Sequence, residues 1–245
     1  MDLVPKKQRR YIIRKYLIDF LVNNDYQPGD KLPSERELME EFGVSRLSMR
    51  EALHLLSDER IVRPMHGMGW YLMENPKLPT EDISQLKSVT QIFKTYGLKI
   101  HTEVLSFKVR KLEKDWREMN LKVNEEILSI ERIRFSKKDP FIYSIDEIPV
   151  KLFKKLPHKQ EFEGSLLKLL EEKYKIKVEY SHAKISVVEQ KDFESSHSAL
   201  KDISSWLLLE QVNYNNEGIP VIYSRDYHRS DKLHFFVRRY VTQAI

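Results

Sequence analysis

Apolar residues recur at helical spacing near the beginning of the chain. Between residues 12 and 21 they return every three or four positions, which is typical of a helix with one buried face. Ser34 and Glu37 form the sequence pattern of a capping box for a second helix, and Gly43 is placed to end it. Ser45 is placed to cap a third helix. Two helices joined by so short a turn predict a helix-turn-helix.

Two short extended segments follow the third helix, which we expect to end near residue 59. Residues 61–64 and 70–73 flank a glycine-containing turn and predict a two-stranded wing. Residues 74–82 (ENPKLPTED) are polar with two prolines, as expected of a linker. We therefore predict a winged helix-turn-helix domain over 1–73.

The pattern changes beyond the linker to an alternation of apolar and polar residues. Helices are predicted between the alternating segments, near 83–96, 113–121, 165–174 and 191–200. Hairpin turns are predicted at 137–139 and 215–218. Strands are predicted at 104–109, 127–135, 141–148, 178–188, 207–214 and 220–227. The fold class is α+β, with an antiparallel sheet and flanking helices over 83–245.

Composition excludes several classes of protein. Cysteine is absent, so disulfides, cysteine–zinc sites and thiol catalysis are excluded. No apolar run is long enough to span a membrane and the basic N-terminus has no secretory pattern, so we expect a cytoplasmic protein. The eight histidines show no metal-ligand spacing, and no GxSxG, Walker A or GxGxxG motif occurs. We predict no catalytic residue, no cofactor and no metal.

A winged helix-turn-helix suggests DNA binding, but the net charge of +5 is not evidence for that function. Residues 1–75 hold 12 basic and 12 acidic side chains, so the predicted DNA-binding domain is neutral. Position matters more. Arg46 and Arg50 lie one turn apart at the start of the third helix, where a guanidinium can bond guanine O6 and N7. We predict DNA contacts by Arg36, Ser45, Arg46, Leu47, Ser48, Arg50, His66 and Gly67.

Two arginines stand out in the second domain. Arg132 and Arg134 alternate along a predicted strand, so both point to one face. Guanidiniums among apolar neighbours are costly unless an anion or a carboxylate meets them. The residues alone leave two interpretations open: a bound anion, or no ligand, in which case Glu131 or another acid pairs the arginines or the face is solvated.

The N-terminal segment closely resembles the DNA-binding domain of the GntR family of bacterial regulators. The resemblance rests on PGDKLPSEREL at 28–38, FGVSR at 42–46 and REAL at 50–53. It implies that Arg36, Arg46, Ser48 and Arg50 contact DNA and that Gly67 reaches the minor groove. Leu47, Met49 and Trp70 depart from the residues usual in the family, which leaves the operator sequence open.

The C-terminal part resembles the UTRA effector domain of HutC-type GntR regulators, a chorismate-lyase-like fold that binds small effectors. ERIRF at 131–135, GSL at 164–166 and YSRDYHRSD at 223–231 carry the resemblance. Members that bind phosphorylated sugars hold the anion with residues matching Ser88, Thr90, Arg132, Arg134 and Ser165. Ser144 and Ile222 stand where those members have acids. We predict an effector site formed by Ser88, Thr90, Arg132, Arg134, Ser144, Ser165 and Tyr227.

Three functions fit these features: an effector-controlled transcription factor, an enzyme with a DNA-binding appendage, and a DNA-binding protein whose second domain only dimerises. A fold resemblance carries no activity by itself, and no catalytic motif is visible. We therefore predict a regulator, most simply a repressor, that binds a palindromic DNA operator as a homodimer and responds to a small anionic metabolite.

Overall fold

The computed structural model describes residues 6–73, 80–95, 98–193, 195, 197–237 and 239. The chain divides into two compact units, one with the N-terminal helices and one with a six-stranded sheet. Most of the predicted linker, 74–79, lies outside the described residues. Its last three residues form a strand, and the domain boundaries stay predictions.

The N-terminal unit contains the predicted helix-turn-helix and wing. Its helices are α1 (Lys6–Asn23), α2 (Glu35–Phe42) and α3 (Arg46–Asp58), followed by the antiparallel pair β1 (Val62–Met65) and β2 (Gly69–Leu72). Most of the apolar face predicted for the first helix packs inward, whereas Tyr16 of that face is exposed. The core is formed chiefly by Ile13, Leu17, Leu21, Leu38, Met49, Leu53, Leu56 and Leu72. The unit also contains a parallel pair that the sequence pattern did not predict, β3 (Thr80–Asp82) and β10 (His234–Phe236).

The second unit is organised around a six-stranded antiparallel sheet. In chain order its strands are β4 (Ile100–Lys111), β5 (Glu126–Ser136), β6 (Asp139–Pro149), β7 (Tyr180–Glu189), β8 (Ser205–Tyr214) and β9 (Pro220–His228). Across the sheet they lie in the order β4-β5-β6-β9-β8-β7. Each of the six predicted strands is present, and the sequence pattern underestimates most of them by a few residues. The predicted hairpin turns at 137–139 and 215–218 join β5 to β6 and β8 to β9.

The two faces of this sheet are packed differently. On one face, α5 (Leu166–Tyr174) covers an apolar cluster that includes Leu128, Ile130 and Ile222. The other face carries an aromatic cluster in which Phe193 stacks on the fully buried Trp206, with ring centroids 4.9 Å apart. Because successive strand residues alternate between faces, sequence parity decides which side chains can reach a site on either face.

Three predicted helices differ from the structure. The segment 113–121 is not a helix: Trp116 and Leu121 exchange two backbone hydrogen bonds, and Met119 packs against Ile127 beneath the sheet. Tertiary packing overrides the helical spacing of its apolar residues. The helix predicted over 83–96 is limited to α4 (Val89–Thr95), with residues 96 and 97 outside the described part. In place of a helix over 191–200 there are short 3-10 turns at Gln190–Asp192 and Ser198–Leu200.

Candidate functional site

Capping interactions fix where the predicted recognition helix begins. The Ser34 hydroxyl accepts a hydrogen bond from the Glu37 amide, and the Glu37 carboxylate accepts one from the Ser34 amide at 2.7 Å. Gly43 ends α2 with a left-handed φ of 58°. The Ser45 hydroxyl then accepts from the Ser48 amide at 3.3 Å and starts α3. These caps determine which side chains the first turn of α3 presents.

The side chains predicted to read DNA lie on the surface of this unit. Arg46 and Arg50 are 74% and 52% exposed, and Leu47 beside them is 55% exposed. Such exposure is what base-reading side chains need, since they must be free to enter the major groove. The remaining predicted contacts are Arg36, Ser45, His66 and Gly67, which are exposed, and Ser48, which is partly buried.

A carboxylate that sequence reasoning missed lies between the two arginines of α3. Glu35 Oε1 is 3.6 Å from Arg50 Nε, and Glu35 Oε2 is 3.9 Å from Arg46 Nε. The same Glu35 Oε1 accepts a hydrogen bond from the indole Nε1 of Trp70 at 3.3 Å. The available sequence signal was Trp70 itself, an unusual wing residue for the family that the sequence resembles.

A pocket in the second unit lies where α4 and α5 begin, against one face of the sheet. The space between its walls is about 470 Å³, part of it open to solvent. Five of the predicted effector residues line it: Ser88, Thr90, Arg132, Arg134 and Ser165. Its other polar walls are Lys87, Asp146, Gln211, Asn213, Ser224 and Asp226, and its apolar walls include Leu166 and Ile222.

The pocket arginines are buried and only partly satisfied by neighbouring residues. Arg132 is 1% exposed and donates from Nη2 to Asp146 Oδ2 at 2.6 Å. Arg134 is 4% exposed and donates from Nη1 to Ser144 Oγ at 2.6 Å. Three buried donor nitrogens, Nε and Nη1 of Arg132 and Nε of Arg134, have no hydrogen-bond partner among the described residues. Buried donors of this kind are normally hydrogen-bonded, so three such donors on two pocket arginines point to a ligand site.

Carboxylates complete the polar network. Ser144 Oγ, which accepts from Arg134, donates to Asp226 Oδ1 at 2.5 Å, and Gln211 Nε2 donates to Asp226 Oδ2 at 2.8 Å. Ser224 Oγ donates to Asp146 Oδ1 at 2.8 Å. Of the two interpretations that the sequence left open, pairing with an acid is therefore present for Arg132. Its partner is Asp146, whereas Glu131 accepts from Tyr143.

The first turns of two helices also line the pocket. Ser165 caps α5 by accepting from the Lys168 amide, and Ser88 accepts from the Gln91 amide at the start of α4. Both serines, with the residue that follows each, are in the pocket wall. The N-terminus of α5 adds a partial positive charge to that of the arginines.

Burial shifts the proton affinities of three groups around this network. Burial, and then the positive charge of Arg132, lowers the pKa of Arg134 to about 9, so the guanidinium stays charged at pH 7. Removal from water, and then the nearby Asp146, raises the pKa of Asp226. Burial, and then Arg134, lowers the pKa of His228 to about 3, so that ring is neutral at pH 7.

Two predicted effector residues do not line the pocket. Ser144 is not part of the pocket wall, but it hydrogen-bonds to Arg134 and Asp226, which are. Tyr227 points to the opposite sheet face, where its ring packs against Tyr143 and Phe193. The reason is parity: Tyr227 is adjacent in sequence to the pocket residue Asp226, so the two side chains leave opposite faces of β9.

The structure also bears on metal binding and membrane insertion. Within the described ranges, no group of three or more histidine, aspartate and glutamate side chains is arranged to hold a metal ion. None of the helices in that part of the chain is both long and apolar enough to cross a bilayer.

Each of the two units matches a known protein family. The family model described as bacterial regulatory proteins, gntR family, matches residues 12–72, and the model described as UTRA domain matches residues 95–234. The chain therefore belongs to the GntR family of bacterial regulatory proteins and carries a UTRA domain. It is a DNA-binding transcriptional regulator with an effector-binding second domain.

Similar proteins cover nearly the whole chain. MngR of Escherichia coli, the mannosyl-D-glycerate transport/metabolism system repressor, is 29% identical over 88% of this chain and 89% of its own length. The transcriptional repressor NagR of Bacillus subtilis is 24% identical over 92% of each chain. The crystal structure of PhnF from Mycobacterium smegmatis superposes with a TM-score of 0.58 at 19% identity, covering 94% of this chain and all of PhnF. That likeness shows a shared fold.

Proposed function

We propose that this regulator is a cytoplasmic homodimeric repressor whose affinity for a palindromic operator changes when a small anionic metabolite binds the second unit. One observation carries the proposal: the three unpartnered nitrogens on the buried Arg132 and Arg134. A guanidinium N–H binds carboxylate or phosphate oxygens strongly, and strongest where water is excluded. MngR and NagR, which resemble the chain over most of its length, are both named as repressors, and this supports repression rather than activation.

The pocket charges narrow the effector class. Arg132, Arg134 and Lys87 carry three positive charges in the pocket wall, and the carboxylates of Asp146 and Asp226 oppose them. A compact acid group fits against the free arginine nitrogens, and the carboxylates with Gln211 fit hydroxyl or amino groups beside it. We therefore propose a small polyhydroxylated acid or phosphate as the effector. The similarity to MngR, named for a glycerate-containing glycoside, supports an acidic sugar derivative.

The DNA contacts form the other half of the proposal. Arg46 and Arg50 contact base edges in the major groove from the first turns of α3, with Ser45, Leu47 and Ser48 around them. Arg36, near the start of α2, contacts phosphate, and the wing tip at His66 and Gly67 approaches the minor groove. Gly67 has a φ of 71°, a left-handed turn conformation that glycine adopts without strain.

A ligand screen separates this proposal from its two rivals. The thermal unfolding of the full chain is followed with phosphorylated sugars, sugar acids and the matching neutral sugars. Anionic compounds that raise the melting temperature and are recovered unchanged support an effector site. Conversion of a compound would favour an enzyme. If no member of a broad panel stabilises the chain, the second unit serves only dimerisation.

The Arg46→Ala variant is expected to lose about 1–3 kcal/mol of binding free energy for the preferred duplex and to tolerate more base changes in it. The preferred duplex is obtained by selection from a random library with the wild-type chain, and affinities are measured by gel-shift titration. Lys15→Ala, which removes an exposed cation from α1, is the control and should bind as the wild type does. Unchanged affinity and preference in Arg46→Ala would contradict the groove placement.

A further inference from the structure

Trp70 joins the wing to both helices of the helix-turn-helix. It lies on β2 and is 5% exposed. Its ring meets His54 of α3 edge-on, with centroids 5.5 Å apart, and its indole nitrogen donates to Glu35 at the start of α2. The backbone carbonyl of Trp70 also accepts from the Leu32 amide at 2.8 Å, which fixes the strand from which the indole projects.

Glu35 transmits this anchor to the recognition helix. Its side chain is 25% exposed, and its two carboxylate oxygens lie 3.6 Å and 3.9 Å from the Nε atoms of Arg50 and Arg46. Isolated surface pairs at such distances contribute little, because long side chains lose entropy when they are held in one geometry. Here the hydrogen bond from the indole N–H already restricts the Glu35 side chain. Less side-chain entropy is therefore lost when either arginine pairs with the carboxylate.

We propose that Trp70 is a positioning residue for base recognition: through Glu35, its indole N–H holds Arg46 and Arg50 in the orientation in which they read the operator. The inference rests on the proposed base contacts of those two arginines. It also gives Glu35 two opposing effects. The carboxylate orders the arginines, which favours the correct sequence, and it repels DNA phosphates, which weakens binding to every sequence.

The test measures two affinities for each variant by fluorescence anisotropy: one for a duplex that the wild type selects from a random library, and one for a random-sequence duplex. Their ratio is the selectivity. Trp70→Phe keeps an aromatic ring against His54 and removes only the donor, so random-duplex affinity should stay unchanged while selectivity falls about fivefold. Glu35→Gln should bind the random duplex more tightly and also lose selectivity.

The double variant Trp70→Phe with Glu35→Gln tests whether Trp70 acts through Glu35. Because Trp70 acts through Glu35, selectivity in the double variant should fall no further than in Glu35→Gln alone. Glu41→Gln, which removes an exposed acid from the same helix, is the charge-matched control and should keep wild-type selectivity. Melting temperatures accompany every variant, because a merely structural role would lower stability and leave the ratio of the two affinities intact.

Three results would overturn the inference. Wild-type selectivity in a folded Trp70→Phe variant would show that the indole donor positions nothing. Independent, additive losses in the double variant would show that Trp70 does not act through Glu35. If Arg46→Ala and Arg50→Ala keep full selectivity, the two arginines do not read bases, and the inference fails together with the proposed base contacts. If the arginine variants lose selectivity and Trp70→Phe keeps it, only the role of Trp70 is overturned.

Discussion

The Asp146→Ala variant is expected to lose about 3–5 kcal/mol of free energy of unfolding, because it strands a buried positive charge. Asp146 is 2% exposed and ion-pairs with Arg132, which is 1% exposed. Without the carboxylate, the guanidinium keeps its cost of desolvation and loses its counter-charge. Urea unfolding followed by circular dichroism measures the loss.

The response of the melting temperature to inorganic phosphate gives a second measurement on the same variant. In Asp146→Ala, inorganic phosphate should raise the melting temperature more than in the wild type, because the anion replaces the missing charge next to Arg132. Ser224→Ala is the matched control, since it removes only the hydrogen bond to Asp146 Oδ1 and should cost about 1 kcal/mol. An Asp146→Ala variant as stable as Ser224→Ala would contradict a structural ion pair at this position.

The Arg134→Ala variant is expected to keep wild-type affinity for the selected duplex and to lose the response to effector completely. Arg134 supplies one of the three unpartnered buried nitrogens of the pocket and holds Ser144 in place. A ligand can shift an equilibrium only through contacts that differ between two states, so removing one of its two guanidinium contacts is expected to remove the shift. Duplex affinity is measured with and without a stabilising compound from the screen.

Arg110→Ala is the control for this variant. Arg110 lies in the same unit, is 49% exposed and pairs with Glu147, so its loss removes the same charge outside the pocket. It should respond to effector as the wild type does. If Arg134→Ala retains the response, or if Arg110→Ala loses it equally, the effector does not bind at the arginine pocket.

The sequence predicts most of the sheet because its strands run for nine or more residues, long enough for an alternating or β-branched stretch to be recognised in each. The pair β3 and β10 has three residues in each strand, too few for a period to be recognised. The helix predicted over 113–121 is wrong for a different reason. Its helical spacing is real, but the backbone closes on itself through Trp116 and Leu121 so that its apolar residues can cover the sheet.

The candidate pocket is predictable in part. Alternation along β5 puts Arg132 and Arg134 on one face, and the resemblance to a known family adds Ser88, Thr90 and Ser165, which line the same pocket. The acids are harder to predict, because which strands neighbour β5 depends on sheet order. Asp146 lies on the neighbouring strand β6, diagonal to Arg132, and Asp226 lies one strand further away on β9.

The DNA-reading surface shows the same limit. Caps and helical spacing predict that Arg46 and Arg50 share an exposed face, and the structure places them there. Glu35 and Trp70 come from two other elements, and only the packing of the wing brings them to the arginines. The neutral charge of residues 1–75 fits this arrangement, in which an acid accompanies the reading side chains.

The most direct test of an effector-controlled switch is the affinity of the full chain for its selected duplex, titrated with each anionic compound that stabilises the protein. We expect at least one compound to change the dissociation constant by about 5–150-fold, the usual range of coupling between two sites. The matching neutral sugar should leave it unchanged. A dissociation constant that stays the same with every stabilising compound would contradict coupling between the arginine pocket and DNA.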